Sequence, residues 1–441
     1  MMNATFLVVL LIVLVFVVIF TGLPVTFAMG GLATLFALAF LNPATFSLMY
    51  ARIWLTLMNF MLVAVPMFVF MGSLMEHTGI GDRLFKGVHV LAGGLNGGLA
   101  IATIVICTLL AASTGIVGSG VVIAGLMALP SMLKHNYDKR LAVGTCTASG
   151  TLGILIPPSI MLVTWGAMTG FSVGKLFFGA FIPGILVAVL FIIYVGVRCY
   201  LQPSAGRALP VEERRKISTG EKIKMFLQSV LLPVLLVLVV LGSIFFGVAT
   251  PTQAAGLGAL ATILLAVGYR TLTWPAVSKA LMDTVRTTSM IGFLFFGSLP
   301  VISVFLAAGG MDVINNALAM SGLGYWGVIA IMEVIILIMG CFVDWVALVV
   351  VATAIFVPIA IQLGCDPLWF AIITCLVITC GFLTPPFGGS LFYMKGISPS
   401  GINMNDIIMG SLPFMLMMII AIVICMIFPQ LVTWLPGLMI E

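Results

Sequence analysis

Two stretches of this chain place glycine and polar side chains inside otherwise apolar sequence, a combination that could bind a small ion. One covers residues 113–120 (STGIVGSG) and the other residues 340–344 (GCFVD). If the flanking apolar segments are helices, their ends present free amides that attract anions and free carbonyls that attract cations. Hydroxyl oxygens suit Na⁺, a hard cation. The alternative is that the small residues only allow helices to pack closely.

Each stretch is followed by a second anomaly, an apolar segment interrupted by a double proline. The two pairs are Pro157-Pro158 and Pro385-Pro386. Adjacent prolines remove two amide donors and clash with carbonyls one turn earlier, so each pair breaks its helix. The freed carbonyl oxygens then lie beside small hydroxyl residues, where they could help to hold a cation.

These features predict two Na⁺ sites and a solute-binding region shared between them. The first predicted Na⁺ site comprises Gly115, Gly118, Ser119, Gly150, Thr151 and Gly153. The second comprises Gly340, Asp344, Gly381, Thr384 and Gly388. The predicted solute contacts are Ser113, Thr114, Ser119, Ser159, Thr384 and Ser390.

Asp344 is the most informative acid, because an ionisable residue within a membrane segment is a functional candidate by default. The alternative is an ordinary helix N-cap, and both roles can hold together. We expect Glu333, in the middle of an apolar segment, to face a polar contact with another subunit. The acids that flank the interrupted segments are predicted to be helix caps: Asp82, Asp138, Asp312 and Asp366.

The composition requires that lipid covers most of the surface of these elements. Of the 441 residues, 62% are hydrophobic and only 7% are charged, whereas soluble domains carry roughly 25% charged residues. Apolar segments such as residues 6–20 show no alternation, so they predict helices rather than barrel strands. No nucleotide-binding motif and no nucleophile–base pair is present, so an enzyme is not predicted. The net charge of +5 does not indicate nucleic-acid binding.

The chain partly matches itself at an offset of about 228 residues, which indicates an internal repeat. Several glycine, proline and acidic positions coincide in order. The matches without a gap are Pro130 with Pro358, Asp138 with Asp366, Thr151 with Thr379, Gly153 with Gly381 and Pro157-Pro158 with Pro385-Pro386.

Basic residues predict that the two halves are inverted in the membrane. The loop at residues 134–140 is basic and therefore cytoplasmic, whereas the matching loop at residues 364–366 has no basic residue and falls outside. Both chain termini are then expected in the periplasm. Inverted repeats with broken helices are a transporter architecture. A channel or a membrane enzyme would not need this symmetry.

These residues resemble the large membrane subunit of tripartite ATP-independent periplasmic (TRAP) transporters, the DctM-like family. The resembling stretches run in family order along nearly the whole chain. They are residues 65–72 (VPMFVFMG), 114–119 (TGIVGS), 130–138, 150–159, 247–252 (GVATPT), 340–344 (GCFVD) and 384–396. One departure is Gln253, where the family usually has glutamate.

The resemblance implies an all-α polytopic membrane protein of the ion transporter superfamily type, in which a transport domain slides like an elevator against a fixed scaffold. It implies Na⁺-coupled uptake of a small organic anion, a carboxylate or sulfonate such as a hydroxy or oxo acid. A soluble periplasmic binding protein would deliver the solute, and a small four-helix membrane subunit would complete the scaffold in the bacterial inner membrane. The alternative is a stand-alone Na⁺-coupled carboxylate transporter of the same broad fold without a binding protein.

On this basis the chain divides into five parts. Residues 1–60 are predicted to form scaffold helices and a first interfacial arm helix, at 45–59. Residues 61–200 form the first half of the transport domain, with a re-entrant hairpin at about 97–133 and a broken helix at 141–170. Residues 201–225 form a cytoplasmic linker. Residues 226–290 form further scaffold helices and a second arm helix, at 271–289. Residues 291–441 form the second half, with a hairpin at about 326–363 and a broken helix at 368–394.

Overall fold

A computed structural model describes residues 3–19, 21, 23–79, 94–115, 117–208 and 219–440. Within these ranges the chain is helical and contains no strand. Seven of the described helices are long and apolar enough to cross a membrane, so the chain is a multi-pass membrane protein. They are Phe60–His77, Val117–Lys134, Val173–Leu201, Pro251–Gly268, Trp274–Ala307, Trp345–Gln362 and Met404–Ile427.

The helices fall into two successive sets. The first set is α1 (Ala4–Ile19), α2 (Val25–Phe40), α3 (Ala44–Leu57), α4 (Ala64–His77), α5 (Gly98–Thr114), α6 (Val117–Lys134), α7 (Lys139–Thr151), α8 (Ile160–Thr169) and α9 (Val173–Leu201). The second set is α10 (Thr219–Phe245), α11 (Pro251–Gly268), α12 (Trp274–Ala307), α13 (Gly310–Ser321), α14 (Tyr325–Gly340), α15 (Trp345–Val351), α16 (Val357–Gln362), α17 (Pro367–Gly381), α18 (Gly389–Ile397), α19 (Met404–Ile427) and α20 (Gln430–Thr433).

Two helical hairpins coincide with the glycine-containing stretches. In the first hairpin, α5 ends at Gly115, whose φ of 64° is a left-handed conformation that glycine adopts without strain, and α6 follows. In the second hairpin, residues 341–344 join α14 to α15, and a π-helical segment, Ala352–Phe356, continues α15 into α16. Such π-helical segments occur mostly as short insertions in helices.

Two broken helices coincide with the double prolines. The first broken helix consists of α7, the 3₁₀ segment Leu152–Ile154 and α8, and the second consists of α17 and α18. Both Pro157-Pro158 and Pro385-Pro386 are joined by cis peptide bonds. The two breaks differ in exposure: residues 151–160 are all buried, whereas Pro386 and Phe387 are exposed.

The hairpins and broken helices pack crosswise. The first hairpin contacts its own broken helix through α6 and α7, and it also contacts α18 of the second broken helix. The second hairpin contacts its own broken helix through α14 and α17, while α15 packs on α8 of the first. These four elements therefore share one large apolar core. A smaller, separate core lies between α1, α2 and the end of α12.

The long helix α12 differs from the sequence-based expectation. It runs without interruption from Trp274 to Ala307, across the predicted boundary at residue 290 between an arm helix and the transport domain. No proline lies near residue 290 to end the helix. The first predicted arm is a separate helix, α3, because Asn59 caps a new 3₁₀ turn at Phe60–Val63. The predicted division into domains stays a prediction.

Candidate functional site

The structure distributes the residues of the first predicted Na⁺ site over three environments. A Cβ atom on Gly115 would lie 3.3 Å from the carbonyl oxygen of Pro158, so the turn of the first hairpin rests on the first break. Thr151 is buried, and its hydroxyl donates to the Ala148 carbonyl at 2.8 Å. Gly150 and Gly153 are buried nearby on the first broken helix.

Gly118 and Ser119 face other surroundings. A Cβ atom on Gly118 would lie 3.3 Å from the ring of Tyr393 on the second broken helix. Ser119 lines a polar cavity that α4 and α12 also enclose. These contacts place the six residues against different neighbours, and their role as Na⁺ ligands stays a prediction.

The second predicted site is held together by close backbone contact. A Cβ atom on Gly381 would lie 2.9 Å from the Cα atom of Gly340, so only glycine allows the second hairpin and its broken helix to approach this closely. The Thr384 hydroxyl donates to the Cys380 carbonyl at 2.9 Å. The Thr384 carbonyl in turn accepts from the Gly388 amide at 3.1 Å. Several oxygens freed by the second break are thus already partnered within the chain.

Asp344 is the N-cap of α15, which confirms one of its two predicted roles. Its side chain accepts a hydrogen bond from the Val346 amide at 3.0 Å. The residue is exposed at the tip of the second hairpin. A role for its charge in attracting Na⁺ stays a prediction. The capping predictions for Asp138 and Asp366 are confirmed.

Two other predictions for acids have different outcomes. Asp312 lies inside the first turn of α13, where Gly309 is the N-cap, so the predicted capping role is wrong. Gly309 has a left-handed φ of 82°, and α13 begins directly after it at Gly310, two residues before Asp312. Asp82 lies outside the described residues.

Three of the six predicted solute contacts form hydrogen bonds within the breaks. Ser159 is buried, donates to the Ile154 carbonyl and caps α8. Ser390 is also buried and donates to the Phe382 carbonyl. Thr384 is half-buried beside Met415. The side chains of Ser113 and Thr114 lie outside the described part of the structure.

A polar cavity of about 330 Å³ between α4, α6 and α12 was not predicted. The His77 Nε2 and Asp283 Oδ2 atoms are 2.6 Å apart, and the Ser73 hydroxyl donates to the same carboxylate oxygen at 3.0 Å. The sequence feature that could have indicated this cluster is the spacing of Ser73 and His77, which lie one helical turn apart and therefore on the same face of α4. The cavity is lined by Val69, Gly72, Ser73, Glu76, Ser119, Val122, Asp283, Arg286 and Thr287.

Residues 12–431 match the protein family described as tripartite ATP-independent periplasmic transporter, DctM component. The chain belongs to this family. This TRAP large subunit and the uncharacterized protein YgiK of Salmonella typhimurium are 32% identical in sequence, over 96% of this chain and 95% of that one. It is 28% identical to the C4-dicarboxylate TRAP transporter large permease protein DctM of Vibrio cholerae, over 98% of this chain and 97% of that one.

One solved structure with a similar fold is that of the YdaH transporter of Alcanivorax borkumensis, described as having an unusual topology. The TM-score is 0.58 at 14% sequence identity, with 89% of this chain and 88% of that chain covered. At this identity the likeness concerns the fold alone.

Gln253, where the TRAP resemblance leads us to expect glutamate, completes a capping box at the start of α11. The Thr250 hydroxyl accepts from the Gln253 amide at 3.3 Å, and the Gln253 side chain accepts from the Thr250 amide at 2.9 Å. Glutamate and glutamine both serve in such a box. The departure at this position therefore preserves its local structural role.

Proposed function

We propose that this TRAP large permease subunit carries a small organic anion into the cell together with Na⁺, by an elevator movement of its hairpins and broken helices. The solute class extends to this chain from relatives such as the C4-dicarboxylate permease. No nucleotide-binding motif is present in the sequence, so we place the driving force in the Na⁺ gradient rather than in ATP.

The crosswise packing is the observation that carries this proposal. Each hairpin contacts both broken helices, so the four elements are expected to move as one body. The separate core of α1, α2 and the end of α12 suits a part of the scaffold that stays fixed while this body moves. This proposal assigns the end of α12 to the scaffold rather than to the predicted transport domain. The reciprocal contacts also support an inverted repeat, in which one hairpin enters from each side of the membrane.

The proposed partners are the soluble periplasmic binding protein and the small four-helix membrane subunit of a TRAP system. Large apolar side chains project from the proposed scaffold: Phe27, Leu35 and Leu38 on α2 are 63%, 67% and 66% exposed. In the bacterial inner membrane such a surface requires lipid or the apolar face of another subunit. We place both chain termini on the periplasmic side.

Reconstituted transport tests the proposal directly. The two membrane subunits are placed in proteoliposomes with the binding protein outside, and uptake is measured for a C4-dicarboxylate, a 2-oxo acid, a 2-hydroxy acid and a sulfonate. We expect at least one solute to accumulate with external Na⁺ and its uptake to fall to background when choline replaces Na⁺.

Controls separate the alternatives. Undiminished uptake in choline, or a requirement for ATP, would contradict the Na⁺ coupling. Full uptake without the binding protein would instead support the stand-alone carboxylate transporter.

A further inference from the structure

Glu333 is a buried acid that the proposed sites do not use. It lies in the middle of α14, on the first arm of the second hairpin, and is only 5% exposed. Its Oε1 atom accepts a hydrogen bond from the Thr374 hydroxyl on α17 at 2.7 Å. The expectation that Glu333 faces another subunit is therefore wrong: its carboxyl points between the second hairpin and its own broken helix.

The second carboxyl oxygen has no partner in the described structure. Glu333 Oε2 is buried without a hydrogen bond, and Glu333 makes no ion pair with the described residues. Burying an ionised, unpaired carboxylate costs several kcal/mol. A neutral carboxylic acid with one hydrogen bond is far less costly to bury. The surroundings therefore favour a carboxyl group that carries a proton.

The neighbouring groups favour a proton over a metal cation. Cys375 of α17 and Cys365, just before α17, are the titratable groups within electrostatic range of this carboxyl. The other packed arm, α15, has no titratable side chain. Hard cations such as Na⁺ need several oxygen ligands. Among the described residues only the Thr374 hydroxyl is hydrogen-bonded to the carboxyl, and no cluster of three or more His, Cys, Asp or Glu side chains suits a metal ion.

We propose that Glu333 is a proton-binding site, protonated while the second hairpin is packed on its broken helix and deprotonated when unfolding exposes the carboxyl to water. The folded chain then binds one more proton than the unfolded chain. By linkage, this contribution to stability is fully present below the pKa of the exposed carboxyl and is lost as the pH rises from there through the pKa of the packed one. The proposal does not depend on the proposed transport function.

Infrared difference spectroscopy of the purified transporter tests this site without any transport. We expect the C=O stretching band of a protonated carboxylic acid at neutral pH in the wild type, and its loss in Glu333→Gln. Asp283→Asn is the matched control, because Asp283 is half-exposed and paired with His77, and this variant should keep the band. A Glu333→Gln spectrum that keeps the full band would overturn the proposal.

A second variant keeps the test decisive if Glu333→Gln folds poorly. Thr374→Val retains the acid and removes its hydrogen-bond partner, so the band should shift to higher frequency. An unshifted band would assign the proton to a different acid and also overturn the proposal.

In a folded Glu333→Gln protein, the fall of the melting temperature between acidic and alkaline pH should be smaller than in the wild type. Equal falls would contradict the linkage between proton and packing.

Discussion

At the scale of single residues, Asp344 combines a helix cap with an exposed charge at the tip of the second hairpin. The cap uses the carboxylate oxygen that is bound to the Val346 amide, and the residue is exposed to solvent. Asparagine caps a helix about as well as aspartate. A substitution can therefore remove the charge and keep the cap.

We predict that Asp344→Asn raises the Na⁺ concentration for half-maximal uptake by roughly threefold to tenfold. The loss of one charge near the ion weakens a Coulomb attraction that solvent at this exposed tip only partly screens. The measurement is the initial uptake rate against Na⁺ at saturating solute, with melting temperatures recorded in parallel.

Asp366→Asn is the matched control. Asp366 is also an exposed N-cap of the second half, bound to the Trp369 amide at 2.8 Å, but it belongs to neither predicted Na⁺ site. Its Na⁺ curve should overlie the wild-type curve. If the Asp344→Asn curve also does so, Asp344 is a cap and nothing more.

The sequence was a good guide to residues whose role is local. Caps such as Asp138 and Asp366 depend on the next three residues, which can be read directly. Glu333 could not be placed in the same way, because its environment depends on which face of α14 packs against α17. The hydroxyls of Ser159 and Ser390 were predicted to contact solute, which stays a prediction. The path of the chain through each break also gives each hydroxyl a carbonyl acceptor, and that path could not be predicted from the sequence.

At the scale of elements, glycine pairs set the distance between each hairpin and its broken helix. In the first half a Cβ atom on Gly120 would lie 2.9 Å from the Gly150 carbonyl oxygen, and in the second half Gly340 meets Gly381. Both contacts involve backbone, which cannot move aside as a flexible side chain can. Any added side chain must push the hairpin away.

We predict that Gly381→Ala destabilises the protein by about 1–3 kcal/mol, the range for overpacked cores, and reduces uptake strongly. The new methyl group would lie 2.9 Å from the Cα atom of Gly340, so the second hairpin would separate from its broken helix. Thermal unfolding in detergent and uptake in proteoliposomes measure the two effects.

Gly396→Ala serves as the control on the same broken helix. A Cβ atom at Gly396 would meet nothing within 4 Å, and alanine favours helix by roughly 0.5–1 kcal/mol over glycine. Its melting temperature should be equal to or above that of the wild type. A Gly381→Ala protein that behaves like Gly396→Ala would show that this contact is not tight.

Local glycine and proline signals made the hairpins and broken helices recognisable before the structure. The crosswise packing was not recognisable, because contacts such as that between α6 and α18 join residues far apart in the chain. The continuity of α12 was also missed. Its mixed polarity, with Lys279 and Arg286, indicated an interfacial helix, but polarity alone does not end a helix, and the next apolar segment extends it.

At the scale of the whole molecule, the orientation of the two halves decides whether the hairpins enter the membrane from opposite sides. Side-specific labelling can test this on the native background, since all eight cysteines are buried. The structure also guides the choice of positions. Asn136 and Gly364 have left-handed φ values of 57° and 74°, so cysteine would be strained there.

We predict that Lys134→Cys and Gln362→Cys are labelled from opposite sides of the membrane. Both residues are exposed at the end of a hairpin, where a thiol is accessible, and the basic loop should hold Lys134 in the cytoplasm. The measurement is reaction with a membrane-impermeant maleimide in intact cells and in inverted vesicles.

The unmodified chain is the control and should react in neither preparation. Labelling of both positions in the same preparation alone would contradict the inverted orientation.

The buried native thiols also provide a chemical probe of how often the second hairpin separates transiently from its broken helix. Cys341 and Cys380 adjoin the Gly340–Gly381 contact, and both are sealed from solvent at 6% and 0% exposure. A small permeant thiol reagent reaches them only while the hairpin stands away from its broken helix. The rate at which wild-type chains lose these thiols therefore counts how often the contact opens, with no engineered probe.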